Sequence, residues 1–144
     1  ASGTWLGARI AVMDFGVPHL CKTGDFPVKG VSKASGPWQA PEVHGGGEPT
    51  LQADIWSLGV VLWEVLTGEV PWAGKTREQL ASIIGKEGRT PPVPDAARAG
   101  APTGYVEAME RCWAVEPSER ASVTKVISML LGRWSEWPDE FLPG

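Results

Sequence analysis

The residues of this 144-residue chain that could do chemistry follow one another in a definite order. Asp14 opens Asp14-Phe15-Gly16 directly after the apolar, β-prone run Arg9–Met13. A carboxylate in that place is a hard oxygen donor, suited to Mg²⁺, which takes carboxylates together with phosphate oxygens. Alone, the tripeptide reads better as an ordinary turn after a strand. Glu42 closes Ala40-Pro41-Glu42, 28 positions beyond Asp14, and Asp54 opens Asp54-x-Trp56-x-x-Gly59 a further 12 positions on. Cys112-Trp113, Pro117 and Arg120 come later. Between Asp14 and Glu42, the hydroxyls of Thr23, Ser32 and Ser35 stand near Lys22, Lys29 and Lys33. A phosphate on Thr23 or Ser32 would find a cation to pair with and would order the stretch; without it the stretch is a flexible loop.

The elements that must position these groups are mostly helical. Arg9–Met13 suits a short strand, and 17–37 is a Gly/Ser/Lys/Pro loop long enough to be functional. Residues 54–66 are apolar almost all round, which predicts a helix buried on every side, with Gly68 as its C-terminal cap. Thr76-Arg77-Glu78-Gln79 fits a capping box, with Leu80, Ile83 and Ile84 on one face and Gly85 as the stop. A proline-rich connector follows at 90–94, and Arg98 has no evident role in the Pro/Ala/Gly-rich stretch after it. Two more helices are predicted around Tyr105–Trp113 and Val123–Leu131 from their apolar spacing.

Composition narrows the classes of partner. A net charge of −4 leaves no electrostatic footprint for nucleic acid or an anionic membrane. Cys21 and Cys112 are far apart, and neither they nor His19 and His44 show metal-ligand spacing, which argues against zinc and against a disulfide scaffold. The longest apolar run is too short to span a bilayer and carries Glu64. Eight tryptophans in so short a chain imply several large buried anchors.

With Asp-Phe-Gly, Ala-Pro-Glu, Asp-x-Trp-x-x-Gly and the late Arg in this order, the sequence resembles the protein kinase family over almost its full length. The resemblance implies a mainly α fold, the C-terminal helical lobe of the kinase fold, with a short strand and the activation segment at its N-terminus. It divides the chain into a strand region (1–13), the activation segment (14–42), the helical lobe (43–134) and a tail (135–144). By resemblance, Asp14 binds the Mg²⁺ that bridges the ATP phosphates, Phe15 packs into an apolar stack and Gly16 permits the turn. Glu42 makes a buried ion pair with Arg120, and Asp54 holds the catalytic loop through backbone N–H groups, though an acid at a helix start also suits the helix dipole. Val61 and Val65 match positions that support the adenine-contacting stack, or are plain core.

Trp38 and Cys112-Trp113 resemble tyrosine kinases and the tyrosine-kinase-like serine/threonine group. Ser35 matches the hydroxyl that serine/threonine kinases use beside the catalytic Asp, and Ser35-Gly36-Pro37 replaces the Pro-x-basic pattern of tyrosine kinases. The expected activity is therefore transfer of the ATP γ-phosphate to serine or threonine hydroxyls of a protein substrate, with ATP and Mg²⁺ as cofactors. The expected setting is the cytoplasm, or the cytoplasmic part of a membrane protein. The Gly-rich loop, the strand Lys and the catalytic base are not in this sequence. The chain is accordingly expected to be a truncated piece of a longer kinase, inactive alone; a pseudokinase or scaffold lobe that binds proteins is the alternative. Gln39 before Ala-Pro-Glu, Glu116 before Pro117 and Ala121 after Arg120 depart from the family pattern.

Overall fold

The computed structural model describes residues 36–131. The expected strand, Asp14-Phe15-Gly16 and the hydroxyls of Thr23, Ser32 and Ser35 lie outside the described residues. No strand occurs among the described residues, which are built from helices and turns. Helix α1 is the single turn Pro41–His44, and α2 is the long helix Leu51–Thr67. Helix α3 (Arg77–Leu80) runs on into a π-helical turn, Ala81–Lys86. Helix α4 (Asp95–Gly100) and α5 (Tyr105–Arg111) follow, then a 3₁₀ turn (Pro117–Glu119) and α6 (Val123–Leu131).

Local chemistry sets most of the boundaries. The Thr50 hydroxyl accepts from the Ala53 N–H at 3.2 Å, so α2 starts three residues before Asp54. Its other end closes at Gly68, whose φ of 70° lets its N–H reach the Glu64 carbonyl. At α3 the capping box is complete: the Gln79 N–H donates to Thr76 Oγ1 at 3.4 Å, and the Thr76 N–H donates to Gln79 Oε1 at 3.0 Å.

Gly85 is not the stop expected of it. The chain continues through it to Lys86, and a Cβ at Gly85 would lie 2.9 Å from the His44 Cβ, so this glycine lets α1 lie against the π turn. Residues 95–100 also form a helix where a plain connector was expected. Asp95 in the first turn follows Pro94, and the alanines behind it favour a helix.

The core gathers on α2. Trp56, Val60 and Trp63 are buried with Leu80, Ile84, Met109, Cys112, Trp113 and Val126. Gly59 allows the closest approach, since a Cβ there would stand 2.6 Å from Trp113 Nε1 and 2.7 Å from the Cys112 Cβ. Burial of α2 on every side, as its composition suggested, is not what the structure has. Leu51 is 83% exposed, Val65 70% and Val61 43%, so Val61 and Val65 are not core positions here. The helix is therefore two-faced in burial although nearly uniform in composition. No helix among the described residues is long and apolar enough to cross a membrane.

Candidate functional site

Arg120 is the best-satisfied polar group of the described chain. It follows the 3₁₀ turn in extended geometry, φ −67° and ψ 144°, which turns its side chain inward to complete burial. A guanidinium has five N–H donors, and here each has an acceptor. Nε donates to the Ala114 carbonyl at 2.9 Å. Nη1 donates to Glu42 Oε1 and to the Gln52 carbonyl, both at 2.7 Å. Nη2 donates to Glu42 Oε2 at 2.8 Å and to the Val115 carbonyl at 3.3 Å. The two parallel bonds to Glu42 form a forked pair, and the guanidinium also lies 5.2 Å from the centre of the Trp56 ring.

Glu42 keeps a quarter of its side chain in contact with water. Burial works against its charge, but the Arg120 hydrogen bonds, a bond to its own backbone and the Arg120 charge together outweigh it, and the carboxyl titrates below its ordinary value. The structure thus brings together two expected site residues 78 positions apart.

The stretch before Glu42 is fixed to α2 as well. The Trp38 indole N–H donates to Glu64 Oε2 at 3.0 Å, and the Ser57 hydroxyl donates to the Trp38 carbonyl at 2.8 Å. Gly36 and Gln39 close a small turn: the Gly36 N–H donates to Gln39 Oε1 at 3.2 Å, and the Gln39 N–H donates to the Gly36 carbonyl at 3.1 Å. Sequence reasoning missed Glu64 and Ser57. Both sit in the apolar helix, and a polar residue there was the available signal that something must meet it.

Other expected residues stand apart. Asp54 lies in the first turn of α2 and is exposed, away from the Glu42–Arg120 pair's hydrogen bonds. Arg98 gains a role, donating to Glu110 Oε1 at 2.7 Å across α4 and α5, with both partners about half exposed. An exposed pair of this kind contributes little, on the order of 0–1 kcal/mol. Both ring nitrogens of His44 are buried, and neither makes a hydrogen bond of good geometry. Burial pushes its imidazole below the ordinary 6.5; the Gly36 backbone opposes this and the Arg77 charge adds to it. Cys112 is fully buried and its thiol is pushed up to about 11 by that burial. Among the described residues no cluster of three His, Cys, Asp or Glu side chains could hold a metal ion.

The sequence matches the family of protein tyrosine and serine/threonine kinases over residues 7–130. A probable serine/threonine-protein kinase, drkD, of Dictyostelium discoideum is 35% identical over 132 residues, 92% of this chain and 10% of that protein. The serine/threonine/tyrosine-protein kinase HT1 of Arabidopsis thaliana is 31% identical over 94% of this chain and 33% of its own length. Mouse tyrosine-protein kinase Fgr is 29% identical over 99% of this chain and 26% of its own. The chain spans between a tenth and a third of the length of these relatives. With its helical build and a match that runs through nearly all of its residues, this chain belongs to the protein kinase family.

Proposed function

We propose that this chain is the helical, substrate-binding lobe of a cytoplasmic serine/threonine kinase that transfers the γ-phosphate of ATP to protein hydroxyls. The observation that carries the reading is the anchoring of 38–42. Ser57, Glu64 and Arg120 hold this stretch at three points, on its backbone, its indole and its carboxylate. Positioning and charge stabilisation account for most of phosphoryl-transfer catalysis, so a segment that presents a substrate must not drift. Ser35 lies three positions before Trp38 in sequence. By resemblance its hydroxyl would contact the catalytic Asp, which favours serine and threonine.

Asp14 is the residue that would hold Mg²⁺, and a hard monoanionic carboxylate fits that ion. Bound there with ATP, the ion would neutralise charge on the phosphate oxygens. In the transfer itself, the bond between the γ-phosphorus and the β–γ bridging oxygen breaks and a bond to the acceptor oxygen forms. The acceptor's proton must go to a base that is not in this sequence. For that reason the 144-residue chain alone is expected to have no turnover.

The test compares two polypeptides, the chain alone and a longer one that restores a complete kinase domain around it. With labelled ATP, Mg²⁺ and a basic substrate protein, the longer one should label serine or threonine, and Asp14→Asn should abolish labelling. Labelling of tyrosine would overturn the specificity, and an inactive complete domain would favour the scaffold reading. Labelling by the short chain, lost on Asp14→Asn, would overturn the expectation that it is inactive.

A further inference from the structure

A pocket of about 340 Å³ opens beyond the C-terminal end of α2, with Trp63, Glu69, Trp72, Pro91, Pro92 and Pro94 in its lining. It is firmly built. The Trp63 indole N–H donates to the Pro92 carbonyl at 2.9 Å, which ties the proline wall to α2. Trp72 is held at φ 55°, the one non-glycine residue at positive φ among the described residues, and its carbonyl accepts from the Lys75 N–H at 3.0 Å. A bulky aromatic residue resists that conformation, and such strain persists where the surroundings over-determine it, often at ligand sites. Glu69 is exposed, and no cation among the described residues pairs with it.

Two indoles, a proline wall and one unpaired carboxylate describe a receptor for a cation with an apolar stem. Arginine fits better than lysine, because its flat guanidinium can stack on an indole and offer a fork to a carboxylate at the same time. A neutral proline-rich segment would leave Glu69 unanswered, and the chain's own Pro92 already takes the indole N–H of Trp63. The net charge of −4 further favours a basic partner. We propose that this pocket docks an arginine side chain of an extended basic segment in a protein partner. The site uses neither Glu42 nor Arg120, and its occupation does not depend on phosphoryl transfer.

The test is a fluorescence-anisotropy titration of a complete kinase domain containing this chain with a labelled peptide carrying one arginine between proline and leucine. Saturable binding is expected, weakened about tenfold when citrulline, uncharged and of the same shape, replaces the arginine. Glu69→Gln should weaken the arginine peptide by a similar factor and leave the citrulline peptide unchanged. Glu69 is exposed, so this variant does not endanger the fold. Trp72→Leu should weaken both peptides, the arginine one more. Binding should also weaken as salt is raised. Equal affinity for the two peptides, indifference to Glu69→Gln, equal binding of a neutral proline-rich peptide, or no saturation at millimolar peptide would each overturn the proposal.

Discussion

Removing either partner of the Glu42–Arg120 pair should be costly, but the two losses should differ in kind. Glu42→Ala strands a guanidinium with no solvent exposure, and breaking a buried pair in this way costs about 3–5 kcal/mol. The Gln52 and Val115 carbonyls still hold one N–H on each terminal nitrogen, so about 3 kcal/mol is the expected loss. Arg120→Ala instead leaves the Ala114 and Val115 carbonyls without this donor, at roughly 1 kcal/mol each, and takes from the Gln52 carbonyl the bond it holds beyond the α2 backbone ladder. It also removes the cation from over Trp56, while Glu42, a quarter exposed, can turn to water. About 4–5 kcal/mol is expected there. The double mutant should lose little more than Arg120→Ala alone, giving a coupling of about 2–3 kcal/mol.

The assay is urea denaturation of a complete kinase domain containing this segment, followed by tryptophan fluorescence, for the four members of the cycle. Losses that add to within about 0.5 kcal/mol would refute the reasoning, because independent sites add that closely. The pair also gives a pH signature. The Glu42 pKa is lowered on folding, so its contribution is fully present above its ordinary 4.5 and is lost as pH falls through the lower folded value. Glu42→Gln should flatten that acid limb.

Three further outcomes follow from the packing. Cys112, with its thiol raised to about 11, should resist alkylation at pH 8 in the native chain and react once the chain is denatured; peptide mapping separates it from Cys21. Gly59→Ala should destabilise by about 1–3 kcal/mol in thermal or urea melts despite alanine's better helix propensity, because Trp113 and Cys112 leave no room for a methyl group. The isolated chain should bind a dye for exposed apolar surface, and Val61→Gln with Val65→Gln should reduce that binding; a sharp melt with little dye signal would contradict the idea.

How far the sequence could be read depended on the range of the interaction. The Gly68 cap and the Thr76 capping box are local, carried by one or two residues whose chemistry has few other uses, and both stand in the structure as expected. The sequence points to Asp54 as the start of α2, whereas the helix begins at Leu51, because Thr50 lies behind Pro49 and before an exposed leucine, which obscures its cap. Gly85 reads locally as a helix stop, but its role is to make room for His44, a partner 41 positions away. The exposed face of α2 was invisible for a related reason. Composition says that Val61 and Val65 are apolar, but only packing says what covers them. The Glu42–Arg120 meeting came from the family resemblance and not from any local pattern, and nothing in the sequence around Glu64 pointed to Trp38.

The separation of Glu42 from Arg120 also bears on the order in which the chain assembles. Joining residues 78 positions apart costs loop-closure entropy before either bond to Glu42 is made, whereas the caps of α2 and α3 form within a few residues. The guanidinium can be satisfied only after the Ala114, Gln52, Val115 and Glu42 acceptors have arrived together. The clamp should therefore close after the rate-limiting step. Weakening it should leave refolding rates nearly unchanged and speed unfolding, which makes Arg120 a determinant of how long the folded lobe lasts.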